Sequence, residues 1–147
     1  MLHITFNQLV PILQLSVSPM ILISGMGLLI LTLTNRFGRM VDRARILNQE
    51  LRNRPDAPHA DETRTQIRIL MRRAGILRLS ITLGAITALI AGLLVLLLFA
   101  GALLQLELGG LIAGAFCVAV LALIGCISTF IIDMNLALLA VRLEVKV

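Results

Sequence analysis

The sequence holds no tryptophan and no tyrosine, and only five phenylalanines among its 147 residues. The usual aromatic belt of a membrane protein is therefore missing, so arginines and packing must fix the depth of any span. The one aromatic among the basic residues of 36–78, Phe37, falls on an apolar stripe, so no run of stacking aromatics accompanies the charge, which argues against binding of nucleic acid. His3 and His59 are isolated, with no cysteine or acidic cluster of ligand spacing beside them, and no metal site is expected. Cys117 and Cys126 fall in one apolar run and read as small packing residues, not as two halves of a disulfide. There is no nucleophile–base arrangement, no glycine-rich phosphate loop and no pair of intramembrane carboxylates, so neither enzymatic activity nor a cofactor is expected.

Apolar sequence is what remains. The hydrophobic fraction is 59% and the mean hydropathy +0.99, far above the soluble norm. Runs at about 18–35, 79–104 and 109–132 are long enough to span a bilayer. Ser18-Pro19 reads as the cap and first turn of the first span. No lysine or arginine precedes that span, so it does not read as a cleaved signal.

Charge sets the expected orientation. Eleven of the 13 lysines and arginines lie between Arg36 and Arg78, against five acids, a net +6 for that segment. Arg142 and Lys146 follow the third span, while residues 1–18 and 105–108 carry no base. Basic loops stay cytoplasmic, which predicts the N-terminus outside, the C-terminus inside and an affinity for anionic lipid headgroups.

The first helix is not expected to stop where the membrane stops. Phe37, Met40, Ala44, Leu47 and Leu51 repeat at spacings of three and four, and no proline intervenes before residues 53–62. Ile67, Leu70, Ala74, Leu77 and Ile81 then repeat in the same way. Two helices of matching period joined by a proline-containing turn predict a cytoplasmic antiparallel coiled-coil hairpin over 36–78. Ile132, Leu136, Leu139 and Leu143 carry a third stripe past the membrane, predicting a cytoplasmic C-terminal helix over 133–147. The expected fold is thus an all-α membrane protein of one domain, 1–147, with three transmembrane helices and a hairpin between the first and second.

Three finer features bear on function. At 100° per residue, Ser24, Leu28, Leu31, Asn35, Asp42 and Gln49 lie on the side of the first helix opposite Phe37 and Ala44. Gly84, Ala88 and Gly92, and separately Gly110 and Gly114, form small-residue faces, read first as packing within one subunit. Asp133 is the acid nearest the cytoplasmic end of a span, and Arg36 or Arg78, at the same expected depth, would neutralise it.

The stretch SPMILISGMGLLILTLTNRFGRMVDRARILNQEL resembles the bacterial DUF2721 family, in which S-P opens the first span and an N-R-x-x-R-x-x-D-R-x-R-x-L run leaves it. Ser18, Pro19, Asn35, Arg36, Arg39, Asp42, Arg43, Arg45 and Leu47 match that pattern. The resemblance implies a small multi-pass protein of the bacterial inner membrane and no settled activity. The layout of spans and hairpin also looks like the core of the Oxa1-type insertases, although here no arginine lies within a span.

Three functional readings stay open. The first is a homo-oligomeric ion-conducting pore, with Ser24, Leu28, Leu31 and Asn35 lining the axis and the two leucines gating by dewetting. The second is a non-catalytic scaffold or regulator whose hairpin docks a cytoplasmic protein partner. The third is an insertase-like protein.

Overall fold

The computed structural model describes residues 6–55, 58–105 and 107–144, with side chains described between Val10 and Ala137. His3, Asp56, Lys146 and the side chains of Leu139, Arg142 and Leu143 therefore lie outside the described residues. Among the described residues all regular structure is helical: α1 (Phe6–Asn53), α2 (Ala60–Leu104) and α3 (Gly109–Glu144). The segments Leu13–Asn53, Ala60–Leu104 and Gly109–Ala137 are each long and apolar enough to cross a membrane.

α1 is longer than its apolar run at both ends. It starts at Phe6, so Ser18-Pro19 does not open it, and Pro11 and Pro19 both lie inside the helix. Each proline removes one backbone N–H and crowds the preceding turn, but such residues are tolerated in apolar helices where neighbouring groups satisfy the freed carbonyl. Pro19 is buried, and Ser16, one turn before it, is buried and partnered. Past Asn35 the helix continues without a break, Gly38 included, as far as Asn53.

The break between α1 and α2 is shorter than the polar stretch suggests. The Arg54 amide still donates to the Glu50 carbonyl at 3.0 Å, and α2 begins at Ala60 with the Thr63 amide donating to the His59 carbonyl at 3.0 Å. Asp61 and Glu62 occupy the first turn of α2, where acids favour the positive end of the helix dipole. The second break is tighter. α2 ends at Leu104, Gln105 adopts a left-handed φ of 49°, and the Ile112 amide donates to the Leu108 carbonyl at 3.0 Å as α3 begins.

The buried positions follow a seven-residue repeat. On α1 they include Pro19, Met26, Leu33, Met40 and Leu47; on α2, Leu77, Gly84 and Ala91 together with Ser80, Thr87 and Leu94; on α3, Ala119, Cys126 and Asp133. A repeat of seven corresponds to 3.5 residues per turn, close enough to the helix period to keep one stripe of each helix inward. Leu70, Ile67 and Ile81 flank the stripe of α2 half-buried, as do Phe37 and Leu51 on α1.

The chain divides into two compact units, one of Met1–Ile30 with Leu83–Gly125, the other of Leu31–Thr82 with Cys126–Val147. In the first, Thr87 donates to the Leu83 carbonyl at 3.0 Å and lies 3.5 Å from the Ala119 carbonyl, tying α2 to α3. A Cβ on Gly125 would stand 3.3 Å from the Leu83 side chain, so the two helices pass closely there. In the second unit, Ser80 donates to the Thr129 hydroxyl at 2.6 Å, and Thr129 donates to the Cys126 carbonyl at 2.9 Å.

Of the small-residue faces, Gly84 is buried and Ala88 half-buried, whereas Gly110 and Gly114 depart from the expected packing within one subunit. A Cβ on Gly92, Gly110 or Gly114 would meet nothing within 4 Å, and Gly110 and Gly114 are exposed. Gly84 and Ala91 are buried on the stripe, whereas Gly110 and Gly114 point away from it. Cys117 is likewise exposed and packs no core, whereas Cys126 is buried.

Candidate functional site

The stripe of α3 carries small apolar residues at Ala119 and Cys126 and then, one repeat later, an acid. The side chain of Asp133 is fully buried. An isolated carboxylate in such a place would cost several kcal/mol, so it requires cationic partners. Two are present. Arg36 Nη2 donates to Asp133 Oδ2 at 3.2 Å, and Arg73 Nε donates to Asp133 Oδ1 at 3.4 Å. Each helix thus supplies one member of the cluster: Arg36 from α1, Arg73 from α2 and Asp133 from α3.

Both separations exceed the 2.7–2.9 Å of a tight charge-assisted bond, so Coulomb attraction carries more of the interaction than directed hydrogen bonding does. Arg36 is held further by its surroundings. Its guanidinium lies 5.4 Å from the centroid of the Phe130 ring, within cation–π reach, and an N–H points at the Met134 sulfur. Phe130, Asp133 and Met134 lie within little more than one turn of α3, so a single patch of that helix receives the whole Arg36 head group.

Arg78 is not a partner of Asp133. It is exposed and makes no ion pair among the described residues, its backbone carbonyl accepting from Thr82 at 2.9 Å. The reason is angular. At 100° per residue, Arg73 lies about 40° from the buried Leu77, whereas Arg78 lies about 100° from it and looks outward. Arg36 stands in the same relation to the buried Met40, four residues before it, as Arg73 does to Leu77.

Beside the cluster a cleft of about 290 Å³ is lined by Arg36, Arg39, Met40, Arg43, Leu70 and Arg73. Its lining has four guanidinium groups and no acid. The exposed face of α1 carries the other candidate residues: Ser24, Leu28, Leu31 and Asn35 are all exposed, Leu28 by 68% and Leu31 by 59%. Asp42 and Gln49 continue that face, also exposed. The structure leaves these four residues on the surface of the chain and, unlike the ion cluster, gathers them into no internal site.

The N-R-x-x-R-x-x-D-R run that supplies Arg36, Arg39 and Arg43 lies inside a longer match. The family described as Protein of unknown function (DUF2721) matches residues 16–143, most of the chain. The chain belongs to the DUF2721 family. The matched region takes in all three members of the ion cluster and the four arginines of the cleft, so the site is part of the DUF2721 portion of the protein and not an appendage to it. No curated protein matches the chain, and no solved structure does.

Proposed function

We propose that the protein is a non-catalytic, homo-oligomeric component of the bacterial inner membrane, with subunits meeting along the exposed face of α1 around an ion-conducting path. The observation that carries this reading is the exposure of Ser24 and Asn35 on either side of the apolar pair Leu28 and Leu31. Ser80, Thr82 and Thr87 return their hydroxyls to their own helix at 2.9–3.3 Å; among the described residues no such bond closes the Ser24 hydroxyl or the Asn35 amide. Polar groups facing hydrocarbon without partners are costly, and water on a shared axis, or the same helix of a neighbouring subunit, would satisfy them. Leu28 and Leu31 would then form the narrow apolar zone that opens by wetting.

In this reading the chain lies N-terminus outside and C-terminus inside, with 36–78 a cytoplasmic coiled-coil hairpin. The eleven bases of that segment support the orientation. The buried Met40, Ala44, Leu47, Ala74 and Leu77 support the hairpin. An insertase ranks lower. It needs a cation free in a groove within the membrane, whereas no arginine lies within an apolar run and Arg36, at the margin of the first, is committed to Asp133.

A scaffold or regulator is favoured by a different observation. Ile46, Ile69 and Met71 lie beyond the apolar runs yet are exposed by 57%, 48% and 58%, and apolar side chains in water suit a docked protein partner. Conductance decides between the two. In reconstituted planar bilayers the pore reading expects monovalent-ion currents that rise when Leu28 or Leu31 is replaced by serine. Silence of the parent protein and of both variants would leave the scaffold reading in its place.

A further inference from the structure

The cleft beside the ion cluster is chemically one-sided. Arg36, Arg39 and Arg43 reach it from successive turns of α1 and Arg73 from α2, with Met40 and Leu70 forming its apolar floor. Among the described residues the one carboxylate in contact with any of these arginines is that of Asp133, fully buried and already divided between Arg36 and Arg73. Arg39 and Arg43 are exposed and have no ion pair among the described residues, and Asp42, next to them along α1, is not part of the lining. Arg39 and Arg43 thus bring two further guanidinium groups to a cleft of about 290 Å³, beyond the pair that Asp133 offsets, and an anion entering it would relieve their repulsion. Arginine favours one kind of anion in particular, since its fork of N–H donors matches the oxygen spacing of a phosphate group.

Depth identifies which phosphate. Arg36 is the first charged residue after the apolar run of α1, and Arg73 lies six residues before Leu79, where the apolar run of α2 starts. The cleft therefore stands at the edge of the membrane-spanning stretches, the level occupied by phospholipid headgroups. We infer that this cleft is a phosphate-binding site whose occupant is the headgroup of an anionic phospholipid, one per chain, held by Arg39 and Arg43 and framed by Arg36 and Arg73. This inference is independent of whether the protein conducts ions.

The test uses the full-length protein purified in a mild non-ionic detergent, with phosphatidylglycerol or phosphatidylcholine added and the retained lipid counted by native mass spectrometry. Arg39→Gln with Arg43→Gln removes cleft arginines; Arg45→Gln with Arg68→Gln removes the same charge from exposed positions outside the cleft. Thermal unfolding of both double variants confirms that they remain folded. One phosphatidylglycerol per chain should be retained in preference to phosphatidylcholine, and its affinity should fall by about tenfold in the cleft variant while the outer variant keeps it. Equal loss in both variants, or loss in neither, would overturn the site. Arginine-dependent stabilisation by millimolar inorganic phosphate, with no preference for phosphatidylglycerol, would overturn the lipid assignment in favour of a free phosphate ligand.

Discussion

Arg36 and Arg73, on different helices, share one carboxylate, Arg36 bonding Oδ2 of Asp133 at 3.2 Å and Arg73 bonding Oδ1 at 3.4 Å. Arg36 lies off the seven-residue line of α1, whereas Arg73 continues the line of Ser80, Thr87 and Leu94 on α2; both are half-buried. Each sits one turn before a stripe residue and reaches inward along its own apolar stem, an ordinary capacity of a long cationic side chain. The acid sits in the stripe because only there can all three helices contribute to it. A buried ion cluster of this kind adds little net stability over an apolar core, but it penalises any register or pairing that leaves a charge unmatched.

That asymmetry gives the first expectation. Asp133→Ala leaves two guanidinium groups part-buried without a counter-charge and should destabilise the protein by about 3–5 kcal/mol. Arg36→Ala and Arg73→Ala, each leaving one partner in place, should cost about 1.5–3 kcal/mol. Arg78→Ala, at an exposed position with no ion pair among the described residues, should fall within about 0.5 kcal/mol of the parent. Thermal unfolding in detergent measures all four. An Arg78→Ala variant as damaged as Arg73→Ala would contradict the assignment of partners.

The second expectation concerns the link between α2 and α3. Gln105 holds a φ of 49°, a conformation that costs a residue with a Cβ roughly 1 kcal/mol and glycine very little. Gln105→Gly should therefore raise stability by several tenths of a kcal/mol, net of the greater freedom glycine has in the unfolded chain. Gln105→Val, branched at Cβ, should lower it. The order Gly above Gln above Val in melting temperature is the readout, and Val at or above Gly would count against the turn geometry.

Orientation supplies the third. With Cys117→Ser and Cys126→Ala as background, His59→Cys should be shielded in intact cells from an impermeant thiol reagent, and Glu107→Cys should be labelled. Permeabilised cells should expose both. The reverse pattern in intact cells would invert the proposed topology.

Much of this architecture was legible in sequence because its signals are long and redundant. The three apolar runs, the stripe Met40–Ala44–Leu47 and the stripe Ala74–Leu77 each repeat one instruction several times over, and the described helices follow them. Single-residue signals fared differently. Ser18-Pro19 has the chemistry of a helix start, yet α1 begins at Phe6 and carries Pro19 buried within it. Gly110 and Gly114 have the spacing of a packing face, yet they are exposed and a Cβ there would meet nothing within 4 Å among the described residues.

The ion cluster lay between these cases. Asp133 and Arg36 stand out as charges at the ends of apolar runs, and choosing a partner by depth favours Arg78 over Arg73. Choosing by angle from the buried Leu77 would have favoured Arg73. Extending the seven-residue spacing of Ala119 and Cys126 by one step would have placed Asp133 in the interior. The cleft arginines were visible only as a basic segment, because nothing in the linear sequence says that Arg73 of α2 faces Arg39 and Arg43 of α1.

The central functional claim is that identical subunits meet along the α1 face bearing Ser24 and Asn35, and chemical cross-linking between subunits tests it most directly. With both native cysteines replaced, Ser24→Cys or Leu31→Cys in native membranes should give a ladder of cross-linked oligomers with a bifunctional thiol reagent of about 10 Å span, the usual separation of neighbouring packed helices. Leu121→Cys, exposed on α3, should stay monomeric. A ladder at α1 and none at α3 is the result this account predicts. Monomer at every α1 position, or equal ladders at α1 and α3, would contradict it.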